Sequence, residues 1–129
     1  MKRTIMVVDD DPDDREITTR VLKKASSAEC LTVSSGEAAL TLLRGREELP
    51  AVMLIDLKMP GMNGIDALRL IRSDGRLKDL PVVIVTNSTL ESDRIAALNA
   101  GADGFIHKAF DIEQYQNALQ SCLACWLSK

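Results

Sequence analysis

Apolar residues gather along this chain in two alternating ways. At 4–8 (TIMVV), 51–55 (AVMLI) and 82–86 (VVIVT) they run nearly unbroken, the pattern of strands buried on both faces of a parallel sheet. Residues 30–33 (CLTV) and 105–108 (FIHK) are shorter, mixed runs that read as weaker strands. Between the runs apolar residues return at helical spacing. Ile17, Val21 and Leu22 mark a first helix ending near Ala25, and Ala38, Leu42 and Leu43 mark a second reaching about Arg44. Leu68 and Ile71 lie on a third from about Ile65 to Arg72, and a fourth runs from about Glu91 to Ala100. Ile112, Tyr115, Leu119, Cys122 and Trp126 make the stripe of the last. Strand and helix thus alternate five times, which predicts an α/β fold with a doubly wound, five-stranded parallel sheet. The evenly apolar first, third and fourth strands belong at its centre and the mixed second and fifth at its edges, as an order 2-1-3-4-5 provides.

Polar residues punctuate the same pattern. Asp11 before Pro12 is a strong helix start, with Asp13, Asp14 and Glu16 at the positive end of the helix dipole. Ser34-Ser35-Gly36-Glu37 fits a capping box for the second helix, and Asp111 caps the last. Pro60-Gly61 and Asn63-Gly64 carry turn chemistry after the third strand, and Gly101-Ala102-Asp103-Gly104 stops the fourth helix.

Chemistry enters at the strand ends. In an open parallel sheet, ligands bind beyond the carboxyl ends of the strands. In the expected order that edge gathers Asp9 and Asp10 from the first strand, Asp56 from the third, Thr86 from the fourth and Lys108 from the fifth. No catalytic triad can be built from these residues. Close carboxylates repel by roughly 4 kcal/mol per pair at an effective dielectric of 20, so such a cluster calls for a cation, and hard oxygen donors suit Mg²⁺. A divalent ion, an ammonium and a hydroxyl around a carboxylate are the parts that place a phosphoryl group on it, with Asp56 as the nucleophile, Lys108 pairing with the transferred group and Thr86 hydrogen-bonding it.

Composition narrows the function further. At 129 residues the chain fits one domain, 1–129, and 46% hydrophobic with 27% charged residues is ordinary for a globular protein. There is no apolar run of membrane-spanning length and no signal-peptide pattern, so the expected compartment is the cytoplasm. Three cysteines, Cys30, Cys122 and Cys125, are an odd number and read as reduced; Cys122 and Cys125 form a C-x-x-C on a helix, where packing explains them. A net charge of −3 without a basic run gives no footprint for nucleic acid.

VVDDD at 7–11, LIDLKMPGMNG at 54–64, VVIVTNS at 82–88 and GADGFIHKAF at 101–110, each at a strand end, make the chain resemble the receiver domains of two-component response regulators over nearly its whole length. That resemblance implies a flavodoxin-like fold of single-domain, chemotaxis-regulator kind. It implies Mg²⁺ held by Asp10, Asp56 and the backbone carbonyl of Lys58, with Asp9 supporting through water. The implied donor is a phosphohistidine on a sensor histidine kinase or histidine phosphotransfer protein. Thr86 and Phe105 would act as the switch, altering the surface of the fourth helix, fifth strand and last helix, where an unnamed output partner or a second copy docks. Beyond weak self-phosphorylation from small donors and self-dephosphorylation, no enzymatic activity is implied. The segment SDGRLKDL at 73–80 and the ending CWLSK are similar to phytochrome-associated receivers.

The chain departs from the family pattern at positions that tune the switch. Ala109 follows Lys108 where receivers carry a proline, Asn87 follows Thr86 where a very small residue is usual, and Phe105 lacks a tyrosine's hydroxyl. Lys58 and Ser88 flank the site where relatives set the rate of self-dephosphorylation. Ala109 and Asn87 leave open a competing reading, a receiver fold kept for docking without phosphorylation. A phosphatase working through an aspartyl phosphate would need a second aspartate two residues after the nucleophile, where this chain has Lys58.

Overall fold

Ten elements alternate along the chain: β1 (Thr4–Val8), α1 (Pro12–Ala25), β2 (Glu29–Val33), α2 (Gly36–Gly45), β3 (Val52–Asp56), α3 (Gly64–Ser73), β4 (Val82–Thr86), α4 (Glu91–Asn99), β5 (Gly104–His107) and α5 (Ile112–Leu127). They come from a computed structural model that describes residues 3–108 and 111–127. The five strands pair in parallel in the order β2-β1-β3-β4-β5, as the apolar runs predict.

Strand alternation splits the core in two. Met6, Val8, Met53, Ile55, Val82 and Ile84 face α2, α3 and α4, where Leu40, Leu43, Leu68, Ile71 and Ala97 meet them. Ile5, Val7, Val52, Leu54, Val83 and Val85 face α1 and α5, against Val21, Leu22, Tyr115, Leu119 and Leu123. Each large side chain buried in this way stabilises the fold by about 1.5–3 kcal/mol. β1, β3 and β4 are buried on both faces because the sheet is covered on both.

The helix starts follow the sequence with two corrections. Asp11 caps α1, accepting from the amides of Asp13 and Asp14, with Pro12 at the first helical position. The expected capping box at Ser34 is displaced: Ser35 is the cap and accepts from the Ala38 amide, which leaves Glu37 one position too early to reciprocate. Along α2, Ala39, Leu40 and Leu43 are buried, while the expected Ala38 is exposed. A full capping box stands instead on α3, between Asn63 and Asp66. On α5, Ile112 is 53% exposed, so the buried stripe begins at Tyr115 and not at Ile112.

Two arginines pin the segment between α3 and β4. Arg72 donates to the carbonyls of Leu80 (2.6 Å), Lys78 (3.0 Å) and Gly101 (2.9 Å) and pairs with Asp103 (2.8 Å). Gly101 has φ +103, and a side chain there would also meet Arg72 at 3.1 Å, so glycine is required where α4 turns back to β5. Arg76 donates to the carbonyls of Leu43 (2.9 Å) and Glu47 (3.2 Å) and to that of Arg46, closing the end of α2, while Leu77 and Leu80 enter the core. Trp126 packs half-buried at the end of the second core cluster, as core rather than surface, and all three cysteines are free.

Behind the sheet edge, the Tyr115 hydroxyl and Thr18 Oγ1 form a buried hydrogen bond of 2.7 Å joining α5 to α1. Tyr115→Phe strands the Thr18 hydroxyl in an apolar layer and is expected to cost about 1–3 kcal/mol in urea unfolding. Adding Thr18→Val removes the stranded partner and should recover much of that loss. Simple additivity of the two substitutions would show that the bond is not the coupling.

Candidate functional site

The sheet delivers its polar residues to one edge. Asp9 and Asp10 follow directly on β1, and the Asp9 amide continues the strand pairing by donating to the Val33 carbonyl at 3.1 Å. Asp56 is the last residue of β3, half-buried at the mouth. The loop after it folds back onto the strand tip: the Gly64 amide donates to the Leu57 carbonyl at 3.0 Å, and a Cβ at Gly64 would stand 2.5 Å from the Asp56 carbonyl oxygen. Only glycine allows α3 to start so close to the strand that presents Asp56. Thr86 ends β4 almost fully buried, and the Lys108 amide donates to its carbonyl at 2.7 Å, which carries Lys108 to the same edge.

Lys108 is the hub of the pocket. Its Nζ lies 2.7 Å from Asp9 Oδ2, 3.0 Å from Asp14 Oδ2 and 3.5 Å from Asp56 Oδ2. Burial alone would lower the ammonium, but the Asp9 hydrogen bond and the charges of Asp56 and Asp9 outweigh it and hold Lys108 above its ordinary value. Asp56 goes the other way from a simple ion pair. Burial pushes its carboxyl up, Asp9 adds repulsion, and the attraction of Lys108 only partly offsets them, so it titrates at about 6. Asp14 is a contact the sequence reading left among the helix-start charges. Side chains of a first helical turn lean back toward the preceding residues, which aims Asp14 at the strand edge.

One ammonium among these carboxylates leaves negative charge in excess. Oxygens of Asp9, Asp10 and Asp56 converge within 4.8 Å of one another, a donor set able to hold a hard divalent ion. Within the set the residues differ. Asp9 is committed on both oxygens, Oδ2 to Lys108 and Oδ1 to the Asp11 amide at 3.0 Å. The Asp10 carboxylate is exposed and hydrogen-bonds to none of the described residues, and Asp56 Oδ1 receives only the Lys58 amide, at 3.4 Å.

The remaining expected residues frame this pocket. Thr86 Oγ1 accepts from the Ser88 amide at 3.1 Å. Lys58 Nζ lies 3.6 Å from Asp93 Oδ2, to which the Ser88 hydroxyl also donates at 2.5 Å. Phe105 is half-buried against the core beside α4. Asn87 is exposed, its carbonyl 3.1 Å from Nε2 of His107, which gives that histidine a structural contact. Ala109, and with it the bond to Lys108, lies outside the described residues. Sequence reasoning does not place Asp14, Asp93 or Arg15, whose Nη1 donates to the Asp9 carbonyl at 2.8 Å, at this edge.

The chain is similar to known proteins over most of its length. Residues 5–120 match the family described as the response regulator receiver domain. The chain is 39% identical over 110 residues to the DNA-binding response regulator MtrA of Mycolicibacterium smegmatis, covering 85% of this chain but 46% of that protein. It therefore spans about half the length of such curated relatives. Among solved structures it superposes on the phosphorylated cyanobacterial phytochrome response regulator RcpA with a TM-score of 0.89 at 28% identity, covering 99% of this chain and 96% of the other. RPA3017, a response regulator in red light signalling of R. palustris, superposes with a TM-score of 0.87 at 30% identity, covering 97% and 94%.

The raised Asp56 carboxyl makes a stability prediction. A group that titrates near 6 when folded and near 3.8 when unfolded favours the fold below 3.8, and loses that contribution as pH rises through 6. Solvent screening at the half-buried mouth reduces what such a shift would carry, leaving on the order of 1–2 kcal/mol. In chelator-treated buffer Asp56→Asn should raise unfolding stability at pH 7.5 by up to that amount, with the gain fading toward pH 4. Equal stabilities at pH 7.5 would show that the Asp56 charge is not strained in the metal-free protein.

Proposed function

Because the chain belongs to the response regulator receiver domain family of two-component signalling, matching it over residues 5–120, we propose that Asp56 accepts a phosphoryl group from a phosphohistidine. The observation that carries this reading is the Lys108 ammonium shared among Asp9, Asp14 and Asp56 at the mouth of the sheet. An Asp56 oxygen bonds to phosphorus as the histidine nitrogen–phosphorus bond breaks, and the ring, carrying a proton on its other nitrogen, takes the bonding pair and leaves as neutral imidazole. Lys108 stands 3.5 Å from the acceptor carboxylate and pairs with the arriving negative charge. Thr86 keeps a hydroxyl proton to donate to a phosphoryl oxygen while its lone pair holds the Ser88 amide.

Asp10, Asp56 and the Lys58 carbonyl are the residues proposed to hold Mg²⁺. Asp9 supports them at one remove, since both of its oxygens are engaged. Bound there, the ion neutralises charge on the phosphoryl oxygens. Asp56 at the mouth titrates near 6, so at neutral pH it is mostly ionised and able to attack.

Modification at Asp56 draws Thr86 toward it and lets Phe105 move inward, changing the α4–β5–α5 surface. Exposed Leu90, Ile95 and Leu98 lie on or beside α4 and give that surface apolar contacts for an output partner or a second copy. The likeness to RcpA and RPA3017 makes a phytochrome kinase the first donor to test. Residues 1–129 act as one receiver unit whose chemistry is limited to its own phosphorylation and dephosphorylation. DNA binding is not carried over from MtrA, since the chain covers 46% of that protein and has a net charge of −3. Among the described residues no helix is long and apolar enough to cross a membrane.

Incubation with Mg²⁺ and acetyl phosphate should add the mass of one phosphoryl group to the intact protein. Asp56→Asn and excess EDTA should each abolish the gain. An unmodified wild-type protein would favour the docking scaffold instead.

A further inference from the structure

The start of α4 is built in an unusual way. Its N-cap position is Leu90, which has no side-chain oxygen to offer the first-turn amides. Ser88, two residues upstream, braces the start without capping it: its Oγ accepts from the amide of Leu90 itself at 3.2 Å and donates to Asp93 Oδ2 at 2.5 Å. The same Asp93 oxygen lies 3.6 Å from Lys58 Nζ, and the pair lines an open pocket of about 480 Å³ together with Met59, Pro60 and Asn63. Asp93 is three-quarters buried at its side chain, whereas Lys58 is 66% exposed and has room to move.

These contacts close a path between acceptor and switch. The Lys58 amide reaches Asp56 Oδ1, the Lys58 ammonium and the Ser88 hydroxyl both reach Asp93, and the Ser88 amide reaches Thr86 Oγ1. We propose that Asp93 is a positioning residue that ties the Lys58 ammonium and the Ser88–Thr86 turn to α4, and so holds the protein in its unphosphorylated arrangement. The inference rests on Asp56 being the phosphoryl acceptor. New negative charge on Asp56 attracts both the Lys58 ammonium and the Thr86 hydroxyl, and each motion pulls on a contact that ends at Asp93. A residue that holds one of two arrangements better than the other biases the equilibrium by that difference. Losing Asp93 therefore shifts the resting population toward the modified form and raises the affinity for anything that mimics it.

The test is the affinity for beryllofluoride, a phosphoryl mimic, in the presence of Mg²⁺. Asp93→Ala should bind it about five-fold more tightly than wild type, equivalent to about 1 kcal/mol. Asp93→Asn can still accept from Ser88 but no longer attracts Lys58, and should show part of that gain. Asp93→Glu restores the charge and should return toward wild type. A merely structural role would weaken binding or leave it alone, so tighter binding together with the Glu rescue identifies positioning. Asn and Ala variants that bind as wild type does, or more weakly, overturn the role of Asp93 while leaving the acceptor assignment standing. Wild-type protein that neither binds beryllofluoride nor is modified at Asp56 overturns both.

Discussion

The placement of Lys108 is the interaction on which the rest depends. One ammonium is held by Asp9 and Asp14 while standing 3.5 Å from Asp56, so it holds together carboxylates contributed by β1, α1 and β3. Without it those groups would repel one another at a partly dry sheet edge, where each close pair costs several kcal/mol. Yet one positive charge does not balance the set. The surplus falls on the two carboxylates least engaged elsewhere, Asp10 and Asp56, and the burial of Asp56 is expressed as an acid titrating near 6. The pocket is thus left electrostatically incomplete in the direction that favours a divalent cation and, after it, a phosphoryl group.

The hydrophobic sheet makes that arrangement affordable. Every residue of β4 and all but the tips of β1 and β3 are buried, and the register fixes which residue reaches the edge: Asp56 pairs with Val85, and Thr86 with His107. A slip of one residue would send each side chain to the opposite face and move Asp56 or Thr86 along the edge, so the point at which each apolar run ends sets the height of the polar groups. Gly64 adds a local condition, since any larger residue would push α3 off the end of β3.

Much of this was legible in the sequence because it follows from runs and spacings. Unbroken apolar segments ending in Asp56 and Thr86, and the aspartates after β1, gave the strands, their order and the residues at the edge. What was missed depended on rotation or on partners distant in the chain. Ser34 and Ser35 are equally good caps by composition, and helical spacing alone does not say which of the neighbouring apolar residues 38–40 faces the sheet: Leu43 is buried as expected, while Ala39 and Leu40 take the place expected of Ala38. Asp14 looked like one more charge at a helix start, because its contact with Lys108 spans 94 residues. Asp93 gave no signal at all, since its meaning comes from Ser88 and Lys58 converging on it from two loops.

The helices are not anchored equally, and the difference bears on how a change at the edge spreads. α3 has a capping box and buries Gly64, Ala67, Leu68 and Ile71, with Arg72 stapling its far end. α4 buries Ala97 alone, lacks a side-chain bond from its own cap residue, and leaves Ile95 and Leu98 open to solvent. Elements with few buried contacts shift at the least cost. Two loops, the one carrying Lys58 and the one carrying Ser88, attach to Asp93 in the first turn of α4, and new charge at Asp56 would act on both. Under the proposed phosphorylation the lightly held helix would be the part of the fold that yields, and its exposed apolar side chains would turn that movement into a change that another protein can read.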